Sequence, residues 1–245
     1  MRRNRFMSIV DWKKDETVAI ISMNNGENRH NPDFAKAMLA AFEEVEKDTS
    51  IYAVILTSSD EKSWSQGIDL SWILPAFTNK DFASIKQFMY DMNKVFKSML
   101  LLPMPVIGAM NGHTAGNGSI LACCCDFLLM KADRGYFFFP EIDLNIPFLP
   151  SMQEMMKKTF PYYKLVEATL TGKRYNAAEL AEHHVIYKAS ANAVALMEDS
   201  LSFAKTFKKG RPIFGEMKKR FHKHIIAAMK NEDPAYIEPL DLFKQ

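Results

Sequence analysis

Trp64-Ser65-Gln66-Gly67-Ile68-Asp69-Leu70 and, later in the chain, Asn111-Gly112-His113-Thr114-Ala115-Gly116-Asn117-Gly118 are the two stretches that decide how this sequence is read. Each follows a β-branched, apolar run, Ala53 to Thr57 and Val106 to Ala109, so small residues stand where a strand ends and the backbone must turn. Such turns expose backbone N–H groups. Two N–H groups aimed at one point stabilise negative charge developing on a carbonyl oxygen, an effect worth roughly 3–4 kcal/mol per donor. The chemistry such a pair serves needs a carbonyl. Either turn alone is a common structural device, and the information lies in the pair.

The rest of the composition bounds the alternatives. At 245 residues with 48% hydrophobic content the chain has material for a large core, and disorder is excluded. A net charge of +2, from 31 basic and 29 acidic side chains, gives no electrostatic case for nucleic acid or an acidic membrane as partner. The three cysteines are consecutive, Cys123-Cys124-Cys125, within an apolar run from Ile120 to Met130. Adjacent cysteines do not form an ordinary disulfide staple, and on a helix they point about 100° apart, so burial in a reducing compartment is expected and a metal site is the alternative. No apolar run approaches the roughly 18 residues that would span a bilayer, and no signal-peptide apolar region stands at the N-terminus, so a soluble protein is expected, cytoplasmic by default. Met1-Arg2-Arg3-Asn4-Arg5 is too short for a transit peptide, and Leu242-Phe243-Lys244-Gln245 is no peroxisomal address.

Strand-like runs near Ser8 to Trp12, Val18 to Met23, Ala53 to Thr57 and Val106 to Ala109 alternate with helical stretches, an α/β rhythm. Pro32 to Lys47 reads as a helix that buries Phe34, Met38, Ala41, Phe42 and Val45, with Asn31-Pro32 as N-cap and first-turn proline. Further helices are expected over Lys80 to Leu102 and Gly118 to about Asp126. After Phe148 the pattern is helical, interrupted by Pro161, Gly172 and Gly210-Arg211-Pro212, with Val185 to Lys188 as the last strand. In Met217 to Met229, Phe221, Ile225 and Met229 recur at spacing four among basic residues, which suits either a contact helix or a solvated basic face.

With Pro140-Glu141-Ile142-Asp143-Leu144 following the two turns, the chain resembles the crotonase superfamily, also called the enoyl-CoA hydratase/isomerase family. The resemblance runs from about Ser8 to about Lys188 and includes Asn28-Arg29-His30-Asn31, Val54-Ile55-Leu56-Thr57, Pro103-Met104-Pro105-Val106 and Asp126. It implies an α/β fold with a crotonase-like ββα spiral core, placed at residues 6–190, and a C-terminal α-helical trimerisation region at 191–245. It also implies a homotrimer or dimer of trimers and an acyl-CoA thioester as partner, with coenzyme A part of the substrate and no other cofactor or metal.

By that resemblance the N–H groups of Ile68 and Asn117 form the oxyanion hole, with Asn117 where the family usually has glycine; asparagine tolerates left-handed backbone angles, so the turn survives. Glu141 occupies the position of the family's second glutamate and is expected to be the base, its pKa raised by Phe137, Phe138, Phe139, Ile142 and Ile146. Hydratases carry their first glutamate at the position filled here by Ile120, and dienoyl-CoA isomerases carry an aspartate at the position of Leu149. One acid suffices to move a proton from C2 to C4, which points to a Δ3,Δ2-enoyl-CoA isomerase of fatty acid metabolism. The substrate-binding candidates are Arg29, placed beside the CoA phosphates or pantetheine, with Gln66, Gly67, Gly116, Ile120, Trp64 and Leu70. Trp64, Leu70, Ile73, Leu74, Phe77 and Ile120 are candidates for an acyl tunnel. His113 is expected to be structural, and Asp69 to fix its loop through backbone donors. Another acyl-CoA reaction (a hydrolase, decarboxylase, dehalogenase or hydratase) and a non-catalytic acyl-CoA-binding paralogue remain the alternatives.

Overall fold

The computed structural model describes residues 8–242. The basic Met1 to Arg5 stretch, the first two positions of the expected core (6 and 7) and Phe243-Lys244-Gln245 lie outside the described residues. β1 (Val10–Asp15) and β2 (Val18–Met23) form an antiparallel hairpin. β1 starts and ends later than the apolar pattern suggests. As an edge strand it needs only one apolar face, so Lys13 to Asp15 stay in the ladder as far as the Asp15–Val18 pair. α1 (Pro32–Lys47) is capped by Asn31, whose side chain accepts from the Phe34 N–H, and buries the expected stripe.

Three successive rounds of strand, strand and helix follow. The first is β3 (Ala53–Ser58), β4 (Ser63–Ser65) and the helices α2 (Leu70–Thr78) and α3 (Phe82–Leu101). The second is β5 (Val106–Met110), β6 (His113–Ala115) and α4 (Asn117–Cys123). The third is β7 (Phe127–Lys131), β8 (Phe137–Phe138) and α5 (Pro150–Thr159). The first strand of each round joins a six-stranded sheet of order β1-β2-β3-β5-β7-β9, where β9 is Lys188–Ser190. The second strand of each round forms a separate three-stranded sheet, β4-β6-β8, and beyond the first hairpin these strands pair with one another in parallel, with one antiparallel bridge from Phe137 of β8 to Tyr175.

After α5 come α6 (Tyr162–Thr171) and α7 (Ala177–Glu182), then beyond β9 α8 (Ala193–Ala204), α9 (Arg211–Phe221), α10 (Lys223–Asn231) and α11 (Pro234–Ile237). The inner strands β2, β3, β5 and β7 are covered on both faces, which is why they read as nearly continuous apolar runs. Alternate residues face α1 and α3, among them Ile21, Val54 and Leu56. The other set, including Ile20, Ile55, Ile107 and Leu129, packs under Leu196 and Ala204 of α8.

Two expectations for the tail change. Met217 to Met229 is not one helix but breaks at His222, so Phe221 is exposed while Ile225 is fully buried. Nor is the basic face simply solvated: Lys218 is buried, and its ammonium donates to Met99 O (3.0 Å), Met104 O (3.3 Å) and Asp126 Oδ2 (2.6 Å). α4 ends at Cys123, short of Asp126. Cys123, Cys124 and Cys125 are free and buried, and burial pushes the Cys123 thiol up to about 12. Among the described residues no helix is long and apolar enough to cross a membrane.

Candidate active site

The three strands of the small sheet run parallel, so the chain leaves all three at the same edge, the position where parallel sheets collect ligand sites. β4 releases Gln66-Gly67-Ile68, β6 releases Gly116-Asn117, and β8 releases Phe139-Pro140-Glu141. Segments far apart in sequence are thus delivered to one point by repetition of a single structural unit.

Backbone bonding decides which donors are free. His30 bridges in parallel to Ile68: the His30 N–H donates to Gly67 O (2.7 Å) and the Asp69 N–H donates to His30 O (2.9 Å). Both bonds engage the neighbours of Ile68, so the Ile68 N–H faces away from His30 and has no hydrogen-bond partner among the described residues. The Asn117 N–H is one of the first-turn donors of α4 and is likewise unpaired. The two turns are in contact. Gly67 has φ +75°, and a Cβ there would lie 2.9 Å from both Ala115 O and Asn117 N. The left-handed position of the second turn is taken by Gly116 (φ +56°), not by Asn117, which is the first helical residue. The Asn117 amide is directed to His30, its Nδ2 2.9 Å from His30 Nδ1.

Glu141 follows β8 in a turn closed by the Leu144 and Ile146 N–H groups, both donating to Glu141 O. Its Oε1 lies 3.4 Å from where a Cβ on Gly116 would stand, so the carboxylate adjoins the second turn. Its Oε2 is shut off from solvent and has no hydrogen-bond partner among the described residues. Desolvation raises the carboxyl pKa to about 7, against a smaller opposing effect of its own backbone N–H. Of the groups expected to desolvate it, Ile146 lines the cleft and the other four do not. Ile142 is exposed, Phe137 and Phe139 belong to the core, and Leu144, Ile146, Phe148 and Leu149 share the cleft with Glu141.

That cleft has a volume of about 190 Å³ and is mostly apolar. Ile68, Gly116, Asn117 and Glu141 line it together with Leu70, Ile73, Leu74 and Phe77. Arg29 lines it while paired with Glu27 at 2.9 Å, and Gln66 lines it with its Nε2 donating to Ser63 Oγ. Trp64 and Ile120 are elsewhere. Trp64 alternates with Ser63 and Ser65 along β4, turns toward the large sheet and donates from Nε1 to Leu56 O, whereas Ile120 is fully buried in the core on α4. Gly67 supports the turn from behind rather than lining the cleft. Asp69 caps α2, accepting from the Ser71 N–H, and the His113 ring lies tilted beside Tyr136 outside the cleft. Met89, Met152 and Leu242 also line the cleft. No local motif marks them, because they come from helices and from the end of the described chain.

A family model described as enoyl-CoA hydratase/isomerase matches residues 13–238. The chain belongs to that family. Within the enoyl-CoA hydratase/isomerase family it is 30% identical over 135 residues to enoyl-CoA delta isomerase 2, peroxisomal, of Arabidopsis thaliana, a match covering 55% of this chain and 56% of that protein. It is 34% identical over 138 residues to the short-chain-enoyl-CoA hydratase of Clostridium acetobutylicum, covering 55% of this chain and 50% of that one. The chain thus spans about half the length of the curated relatives it matches. The fold extends further: the crystal structure of enoyl-CoA hydratase from Bacillus halodurans superposes with a TM-score of 0.86 at 19% identity, covering 97% of this chain and 96% of that one. The ββα spiral is therefore the family's crotonase fold, with its helical C-terminal region present.

Proposed function

We propose that this chain is a Δ3,Δ2-enoyl-CoA isomerase acting through one base. The observation that carries the reading is that Glu141 is the one acidic side chain lining the cleft among the described residues, beside two unpaired N–H groups. Hydration sets water across C2=C3 with two carboxylates in the family's hydratases, and the first of those positions is Ile120, buried away from the cleft. Asp143 lies near Gly172, outside the cleft.

In this scheme the thioester oxygen accepts from the Ile68 and Asn117 N–H groups, which acidifies the C2–H bond. The Glu141 carboxylate takes that proton, and the electron pair delocalises into a dienolate. The Glu141 carboxyl returns the proton to C4, leaving a C2=C3 double bond and a regenerated carboxylate. A carboxyl with pKa about 7 is a stronger base than an ordinary glutamate and still surrenders the proton at C4. The apolar walls keep water from the dienolate, and the scheme calls on no cofactor beyond the coenzyme A of the substrate. Arg29 is the candidate contact to the CoA phosphates. Exposed Ile213, Met217 and Phe221 on α9 support assembly as a homotrimer or dimer of trimers, which light scattering after size exclusion measures directly.

A coupled assay comparing isomerisation of cis- and trans-3-enoyl-CoA with hydration of 2-enoyl-CoA tests the reaction. Fast isomerisation that is largely lost in Glu141→Gln, with negligible hydration by the wild type, is the expected result. Hydration as the dominant activity would move the reading to the hydratase branch, and acyl-CoA binding without turnover would make the chain a binding paralogue.

A further inference from the structure

His30 is fully buried, stacks on Phe34 with ring centroids 4.4 Å apart, and sits between the two turns that supply the free N–H groups. Its neighbours fix its proton. The Ser65 hydroxyl has one hydrogen, donated to Asn28 O at 2.8 Å, so toward His30 Nε2 (2.9 Å) and the Gly67 N–H (3.3 Å) Ser65 Oγ only accepts. The imidazole N–H is therefore on Nε2, and Nδ1 accepts from Asn117 Nδ2 at 2.9 Å. Burial holds the ring pKa down at about 3, so the ring is neutral and carries one N–H. The result is a directed chain of donors, from Asn117 through His30 to Ser65 and on to Asn28 O. Asn28 in turn anchors the same loop, its Nδ2 donating to Trp64 O and Ser58 Oγ.

No other side chain among the described residues hydrogen-bonds to both turns. The backbone of His30 adds two bonds that flank Ile68. The two turns that carry the donors of the proposed oxyanion hole are thus linked by one imidazole, and the Asn117 side chain, departing from the family's glycine, supplies one of its two side-chain links.

We infer that His30 is a positioning residue that holds the Ile68 and Asn117 N–H groups at a common aim by bonding Ser65 and Asn117 at once. This inference rests on the thioester reading above. His30 touches no reacting atom. Its effect is geometric, and a misplacement on the scale of 1 Å at such donors costs about 100-fold in rate.

The test uses a CoA thioester of 4-dimethylaminocinnamic acid, whose absorption moves to longer wavelength when its carbonyl is polarised, alongside 3-enoyl-CoA turnover. His30→Phe keeps the ring and the stacking but removes both side-chain hydrogen bonds. The expected result is a bound probe with most of the red shift lost, and kcat down about 100-fold with KM within about threefold. His30→Gln, whose amide both accepts and donates, recovers at least about tenfold of that loss. Ser65→Ala lowers kcat and red shift in the same direction and carries the test if His30→Phe does not fold. A full red shift and near-normal kcat in folded His30→Phe or Ser65→Ala overturns the inference. A wild-type protein that binds the probe with no red shift overturns instead the thioester reading on which it rests.

Discussion

Asp233, where the chain passes from α10 to α11, and Glu141, just after β8, both have carboxylate oxygens withdrawn from water, and the fold provides for them in opposite ways. Asp233 is fully enclosed and completely bonded: its oxygens accept from Asn93 Nδ2 (2.9 Å), the Ser151 N–H (3.0 Å) and Ser151 Oγ (2.6 Å). It ties α3, the start of α5 and the C-terminal helices together. Glu141 has a buried oxygen with no partner at all among the described residues, and its pKa is displaced as a result. A buried polar atom without a partner costs stability, so the fold tolerates at Glu141 what it avoids at Asp233. The unsatisfied carboxylate faces the cleft, where a C–H proton would arrive.

The largest effect that would break this contrast is on rate. Glu141→Gln is expected to lower kcat for isomerisation by about 10²–10⁴-fold, the range for loss of a positioned general base, with circular dichroism unchanged. Next comes stability. Asp233→Ala leaves Asn93 and two Ser151 donors without their acceptor and is expected to cost roughly 3 kcal/mol in urea unfolding, while kcat per folded molecule stays within about threefold. If the two substitutions instead cost similar amounts of both rate and stability, the division between a structural and a working carboxylate fails. A smaller change sharpens the geometry. Gly67→Ala puts a methyl 2.9 Å from Ala115 O and Asn117 N at a left-handed backbone position, and is expected to reduce kcat about tenfold to 100-fold, more than it raises KM.

Much of this arrangement is legible in the sequence, for identifiable reasons. β3 and β5 are buried on both faces and read as apolar runs, and α1 carries a regular stripe and a cap, so its bounds agree with the pattern. The small sheet is not legible that way. β4, β6 and β8 are two or three residues long, too short to show a period, yet they set the direction of all three site loops. Trp64 illustrates the loss: without β4, an aromatic residue beside Gln66 and Gly67 reads as cleft lining, whereas strand alternation turns it into the core. Lys218 reads as one basic residue among several, because nothing local announces Asp126 and the Met99 and Met104 carbonyls that enclose it. Glu141 is legible through its motif and not through its surroundings, since the cleft walls come from α2 and from Leu144 to Leu149 rather than from the aromatic run before it.

The contrast between the two carboxylates also has a pH signature, and it separates rate from stability in one residue. Glu141 must be ionised to take a proton, so kcat/KM for isomerisation is expected to rise through an apparent pKa near 7, the value set by burial, and to level off above it. Stability moves the other way. Because the folded pKa is raised from 4.5 to about 7, the protein releases this proton less readily when folded, and the resulting advantage is fully present at low pH and lost as pH climbs from about 4.5 through 7. Glu141→Gln has no such proton. Relative to the variant, the wild type is therefore expected to lose on the order of 2 kcal/mol between pH 4.5 and 8, allowing for the solvent that reaches part of the residue. Urea unfolding of both proteins across that range measures the difference. A flat difference together with a rate profile that still bends near 7 would assign the kinetic pKa to another group and remove Glu141 from the role of base.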